Sequence, residues 1–506
     1  MRTINGKWAC LAVACLASLL LSLDMTVLHL ALPRLVGDLG ANATQLLWIG
    51  DIYGFALAGL LITMGNLGDR IGRKRLLLIG AAAFGAASAV TAYAPNPELL
   101  IAARALLGVA GATIMPSTLS IIRNVFTEPR ERTAAVGLWS GMSAAGFAVG
   151  PVIGGLLLDH FWWGSVFLIN VPIMALVLAG GVLVLPESRN PDAGRVDLPS
   201  VALSFAGIVT AIYAIKEAAH QGFGHVAVPV AAVLGVTCLG LFGWRQTRLA
   251  EPLIDVRLFR NRAFSASIGT NLLAIFTMTA MSLMSAWYFQ LVLGWTPLQA
   301  GLASLPGGLS GAISGMLAGR AIGLLGRNGV VALGLALASG AFLCYSTFGL
   351  DTSLLAILAP QFLSGIGIGF AFTVNHDNVL ATAPKERAGA AAAVSETAFE
   401  LGGALGIAIL GTLLNSAYST GLRLPAGVPD EAARESIAGA LHTAETLPAA
   451  QAGQLIEAAR VAYVEAVQVT ALSTAAMLAV VAVLALVGLR GVPKVIPETV
   501  SPTVRV

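Results

Sequence analysis

Fourteen long apolar runs, separated by short polar breaks, divide the chain at about 8–32, 45–65, 76–94, 98–122, 134–157, 163–185, 199–218, 226–244, 264–293, 298–319, 329–349, 353–374, 389–413 and 463–489. A helix needs roughly 20 apolar residues to cross the hydrocarbon layer of a bilayer, and each run has that length. Of 506 residues only 11% are charged and 57% are apolar, with a mean hydropathy of +0.83. Soluble proteins carry about 25% charged residues, so neither soluble domains nor a disordered chain fits these numbers. A net charge of +3 with no basic run longer than Arg73-Lys74-Arg75 gives no footprint for nucleic acid. Cys10, Cys15, Cys238 and Cys344 all lie inside apolar runs, which points to neither a disulfide framework nor a metal site. The first run is too long for a secretory signal and contains Asp24, so it reads as a retained helix.

Lysine and arginine favour cytoplasmic loops, and that bias sets the orientation. With the N-terminus inside, 23 of the 29 basic residues fall on the inner side. Arg34, Lys216, Arg423, Arg434 and Arg460 fall outside, and Arg104 lies within a span. Both termini are therefore expected in the cytoplasm, with the longest connection, about 414–462, outside and holding short surface helices.

The chain also repeats itself at a separation of about 250 to 257 residues. Gly65-Asn66-Leu67-Gly68-Asp69-Arg70-Ile71-Gly72-Arg73 returns loosely as Gly315-Met316-Leu317-Ala318-Gly319-Arg320 with a later Gly326-Arg327. Arg104-Ala105-Leu106-Leu107-Gly108 is echoed by Gln361-Phe362-Leu363-Ser364-Gly365. Glu131-Arg132 with Gly146 and Gly150 is echoed by Glu386-Arg387 with Gly402 and Gly406. Two copies with the same inside-out sense are parallel repeats about an axis along the membrane normal. The fold class expected is an all-α integral membrane protein of fourteen transmembrane helices in a six, two, six arrangement. Residues 1–190 form the N-terminal half, 191–262 an inserted helix pair, and 263–506 the C-terminal half. The small-xxx-small glycine pairs suit close approach of helix backbones.

These residues resemble the major facilitator superfamily, and within it the fourteen-helix drug/proton antiporters. Gly65-Asn66-Leu67-Gly68-Asp69-Arg70-Ile71-Gly72-Arg73-Lys74-Arg75 is similar to the signature loop between helices two and three. Gly146, Gly150, Pro151, Gly154 and Gly155 in helix five resemble the antiporter motif, which implies a helix-packing role for them. Leu23-Asp24-Met25-Thr26-Val27-Leu28-His29-Leu30-Ala31-Leu32-Pro33 and Leu47-Trp48-Ile49-Gly50-Asp51-Ile52-Tyr53 resemble the first- and second-helix motifs of that branch. His29 stands where asparagine is more usual, and Ser310-Gly311-Ala312 carries no acid where some relatives do. The resemblance implies a major facilitator fold, and it is nearest to bacterial exporters of quaternary ammonium compounds, viologens and dyes. It also implies a conformational latch at the inner ends of helices two to five, made by Asp69, Arg70, Arg73 and Arg130, with Asp69 at a helix N-terminus.

Ionisable groups inside a span are expensive and mark either a pathway or a paired site. On a rise of about 1.5 Å per residue, Asp24, Asp51 and Arg104 all fall in one layer of the outer leaflet. Arginine stays charged, so one carboxylate can pair with it while the other lacks a counter-charge. Asp24 is expected to be the main proton carrier, Arg104 its partner, and Asp51 a contributor to coupling; a static pair that only fixes packing is the alternative. Glu396 and Glu400 are one helical turn apart and share a face near mid-depth, which suits a lipophilic cation, a second proton, or packing with hydroxyl partners. Trp139, Phe399 and Tyr53 are expected to add aromatic walls to a cation site. His376-Asp377, at the inner end of helix twelve, is open between structural and coupling roles.

The expected function is a proton-coupled antiporter exporting lipophilic cationic drugs, dyes or antiseptics by alternating access. It is expected to sit in the bacterial cytoplasmic membrane as a monomer, driven by the proton gradient, with no cofactor and no enzymatic activity. The alternative is an exporter of a self-made antibiotic or another metabolite.

Overall fold

The computed structural model describes residues 4–41, 43–189, 197–221, 225–249, 251–425, 428, 431–494 and 496. Arg2, Arg195 and Arg505 of the inner basic set lie outside the described residues, as does the side chain of His29. The described chain is helical, without strands. Its helices are α1 (Ile4–Leu39), α2 (Ala43–Ile71), α3 (Arg73–Ala92), α4 (Pro97–Val125), α5 (Pro129–His160), α6 (Ser165–Leu168), α7 (Asn170–Val184), α8 (Leu198–Gln221) and α9 (Ala227–Gln246). They continue as α10 (Arg262–Trp287), α11 (Pro297–Tyr345), α12 (Leu354–Thr382), α13 (Ala388–Gly421), α14 (Glu431–Glu435), α15 (Ile437–Glu445) and α16 (Ala449–Gly488).

Thirteen helical segments among the described residues are long and apolar enough to cross a membrane. One of them, α11, is two crossings. It runs for 49 residues, about 73 Å at the helical rise, and breaks at Gly326, whose φ of +74° only glycine adopts freely. Among the described residues the crossings thus number fourteen, as the apolar runs predict. Leucines and valines such as Leu183, Leu355 and Val236 stand on the outside of the bundle, where only lipid makes them comfortable. The connection at 414–462, expected to hold short helices, has α14 and α15 between an α13 that extends to Gly421 and an α16 that begins at Ala449.

The glycine pairs decide which helices meet. Gly146 and Gly150 of α5 lie against Leu19, Ser22 and Thr26 of α1. Their counterparts in the repeat, Gly402 and Gly406 of α13, lie in the same way against Leu272, Ile275 and Phe276 of α10. Between the two sets of helices, Gly137 and Gly141 of α5 meet Gly315 and Ala312 of α11, and Gly65 of α2 meets Gly389 and Ala393 of α13. Gly154 is buried, Pro151 lies within α5, and Gly155 faces open space.

The pair α8 and α9 packs against itself and against α2 and α13. Phe55 of α2, Ile208 and Ile212 of α8, Phe242 of α9 and Val394 of α13 share one apolar cluster there. Asp197, just ahead of α8, accepts from Arg245 Nε and a terminal guanidinium nitrogen of α9 at 2.7 and 2.8 Å and from the Ser200 amide at 3.1 Å. The Arg245 bonds foremost hold its carboxyl well below the usual carboxylate range.

A Cβ on Gly146 would stand 2.5 Å from the Leu19 carbonyl oxygen, whereas one on Gly155 meets nothing within 4 Å. Gly146→Val is expected to destabilise the bundle by about 1–3 kcal/mol through overpacking, and Gly155→Ala to leave it unchanged. Thermal unfolding of the purified protein in detergent checks both; equal melting temperatures would contradict the packing.

Candidate functional site: buried charges at two levels

Asp24 of α1 and Arg104 of α4 meet in an ion pair of 2.9 Å, at 2% and 1% exposure. The other Asp24 oxygen accepts from Asn170 Nδ2 at 2.7 Å, and that amide also donates to Ser88 at 3.1 Å. Arg104 Nε donates to the Ile49 carbonyl at 3.4 Å. Its guanidinium lies 4.7 Å from the centre of the Tyr53 ring and 5.8 Å from that of Phe167. Six helices thus contribute to one charge pair. Asn170 carries no sequence charge and stood outside the candidate set; its amide in an apolar run, at the start of α7, was the available signal.

Asp51 does not join this pair. It forms an ion pair with Lys216 of α8, whose ammonium lies 5.4 Å from the Phe55 ring centre. Depth alone grouped Asp51 with Arg104, but Asp51 and Tyr53 are two residues apart and so point about 200° apart around the helix. Tyr53 takes the face toward Arg104 and underlies the charge pair; Asp51 takes the face toward the inserted helices.

Closer to the arginine-rich face, Glu396 of α13 lies 3.4 Å from His376 Nε2 of α12. Glu400, one turn further along, is half-buried and within electrostatic reach of Glu396 and Lys216. Trp139 of α5 sets its edge on His376 with ring centres 5.6 Å apart and donates from Nε1 to Thr118 at 3.2 Å. Phe372 packs on both His376 and Phe399. Glu396, Glu400, Trp139 and Phe399 are therefore brought into one neighbourhood, with His376 at its centre.

At the arginine-rich face, Asp69 accepts from Arg73 at 2.9 and 2.7 Å and from the amides of Gly389 and Ala390, at the start of α13, at 3.0 and 3.1 Å. A carboxylate there completes free helix N–H groups and meets the positive end of the helix dipole. Arg73 also donates to the Lys385 carbonyl at 2.7 Å. Gly72, with φ +114°, makes the turn that brings Arg73 back onto Asp69. Arg70 donates to Asn66 at 2.6 Å. Arg130 is exposed and stands apart from the Asp69 cluster.

The residue two positions on does the buried work. Arg132 Nε donates to Asp377 at 2.8 Å, and Thr133 Oγ1 and Arg327 complete that carboxylate at 3.0 and 2.8 Å. Arg123 of α4 donates to the Leu380 carbonyl at 2.9 Å. Arg123 was read only as an inner-side charge, while Arg132 and Arg327 were read also as parts of the internal repeat; Arg327 follows Gly326 as Arg73 follows Gly72. Both clusters tie α2, α4 and α5 to α12 and α13, so the molecule is clasped shut on this face.

Asp377→Asn leaves two buried guanidinium groups facing a neutral amide. The expected loss is about 3–5 kcal/mol, as for a broken buried pair. Asp255→Asn, which removes the half-exposed partner of Arg387, is expected to change stability by less than about 1 kcal/mol. Melting temperatures of both variants in detergent check this; similar small shifts would contradict it.

The family model of the Major Facilitator Superfamily matches residues 14–407. The chain is 44% identical to the multidrug efflux pump LfrA of Mycolicibacterium smegmatis, over 91% of this chain and 92% of that protein. It is 37% identical to the methyl viologen resistance protein SmvA of Salmonella typhimurium, over 90% and 93%, and 36% identical to the puromycin resistance protein pur8 of Streptomyces alboniger, over 81% and 82%. The crystal structure of the human organic anion transporter MFSD10 (TETRAN) shares the fold, with a TM-score of 0.61 at 14% identity over 97% of this chain and 99% of that one. The chain is a multi-pass membrane transporter and belongs to the major facilitator superfamily.

Proposed function

We propose that this transporter exports lipophilic cations from the cytoplasm in exchange for protons, across a bacterial cytoplasmic membrane with both termini inside. The observation that carries the reading is the buried Asp24–Arg104 pair. Arginine keeps its charge at any physiological pH, so only Asp24 can change ionisation. A proton on Asp24 leaves Arg104 without its counter-ion, and the two states favour different helix arrangements. The arginine-rich face is then the cytoplasmic gate, latched by Asp69 with Arg73 while the opposite face loads protons. Arg70 flanks that latch, and Arg130 adds only surface charge to it.

Glu400, with Phe399 beside it, supplies the charge and the aromatic wall for a cationic substrate, and Asp51 with Lys216 tunes the field around them. The multidrug efflux relative supports drug export, and the methyl viologen resistance relative supports a cation as cargo. A second reading, export of an antibiotic or other metabolite, is favoured by the puromycin resistance relative and by a tetracenomycin C resistance and export protein at 30% identity. On either reading the protein works as a monomer with no cofactor, driven by the proton gradient.

Inside-out vesicles carrying the transporter separate these readings with a panel of ethidium, methyl viologen and puromycin. Uptake of the two cations, abolished by a protonophore, is expected. Asp24→Asn is expected to lower substrate-driven proton flux by at least about tenfold, equivalent to 1.4 kcal/mol of lost coupling. Retained proton flux in that variant ends the carrier assignment, and uptake of puromycin alone favours the metabolite reading.

A further inference from the structure

Between the two charge levels, His376 and Glu396 face each other at 4% and 3% exposure. His376 Nδ1 lies 3.0 Å from the carbonyl oxygen of Phe372, one turn back on its own helix. A carbonyl oxygen only accepts, so Nδ1 carries the hydrogen. In the neutral ring this leaves Nε2 presenting a lone pair to Glu396 Oε1, 3.4 Å away. Neither atom has another hydrogen-bond partner among the described residues. Two opposed lone pairs in a dry site are unfavourable, and one proton between them makes a charge-assisted contact instead.

We propose that His376 and Glu396 hold one shared proton, a second proton site beside Asp24, and that Trp139 seals it until the two halves part. This rests on the antiport reading above. Of the charges around the pair, Glu400 is within electrostatic reach of Glu396. Asp377, next in the chain, is taken up by Arg132 of α5 and Arg327 of α11. Arg123 of α4 is directed at the Leu380 carbonyl, and Glu400 lies one turn away on α13. The seal comes from the opposite set of helices. Trp139 belongs to α5, whereas His376 and Glu396 belong to α12 and α13, and the indole edge meets the imidazole at 71°.

Separation of α5 from α12 on the arginine-rich face removes that cover. Water reaches Nε2, the proton leaves to the aqueous phase on that side, and a cationic substrate replaces it as the counter-charge of the Glu396 carboxylate. Return of a proton to the pair reverses the exchange and releases the cation. Trp139 thus acts as a lid on a proton site, not as a wall of an open cavity.

Proton release on addition of ethidium to purified, weakly buffered transporter tests this with a pH indicator. His376→Asn and Glu396→Gln are each expected to release about one proton fewer per bound cation than the wild type, and the double variant no fewer than either single one, because a shared proton is lost only once. Losses that add, or an unchanged count in the His376 variant, would overturn the proposal. His376→Gln is a second neutral replacement should the asparagine variant not fold. The dependence of ethidium efflux on pH is a second readout: the shape of the profile is expected to change in both histidine variants, whereas a merely structural histidine lowers efflux and leaves the profile in place. A wild type that releases no proton at all would instead reject the antiport reading itself.

Discussion

A carboxylate and a guanidinium held together away from water set the terms for the rest of this molecule. Separating such a pair, or neutralising one member, costs several kcal/mol, because the remaining charge is stranded in a low dielectric. Asp24 and Arg104 are kept together by Asn170, Ser88, Ile49 and Tyr53, drawn from helices α2, α3 and α7. A change at Asp24 therefore reaches most of the N-terminal bundle at once. Under the proposed antiport this is how one proton acts on the packing of whole helices.

The arginine-rich face applies the same physics twice, and the sequence repeat explains the symmetry. Arg73 and Arg327 each follow a glycine with positive φ, and each turns back onto a buried aspartate. Asp69 reaches across to the first amides of α13, and Asp377 reaches across to Arg132 and Thr133 in the first turns of α5. Since α5 and α13 are repeat counterparts, each half grips the start of the same helix in the other. The two aspartates sit on different elements, so the symmetry belongs to the contacts and not to the residues that make them.

Residue spacing carried the fourteen crossings, the glycine faces and the meeting of Asp24 with Arg104 into the fold, because each depends on position along a helix axis. Rotation about that axis was harder to read. Asp51 was grouped with Arg104 by depth alone although it faces Lys216, and Arg130 was preferred to Arg132 although two residues separate exposure from full burial. Asn170 and Thr133 escaped notice because uncharged side chains give no signal in a count of buried charges. Lys216 was read as an outer-loop charge, yet it joins the inserted helix pair to Asp51. Contacts between distant segments decide all of these, and a single sequence does not contain them.

The measurement that bears most directly on the account uses purified transporter in liposomes, with ethidium efflux and internal pH followed together. Coupled exchange predicts that collapsing the pH difference stops uphill movement, and that an imposed ethidium gradient drives protons the opposite way. Uphill ethidium movement at an undiminished rate, without a pH difference and without counter-movement of protons, would contradict it.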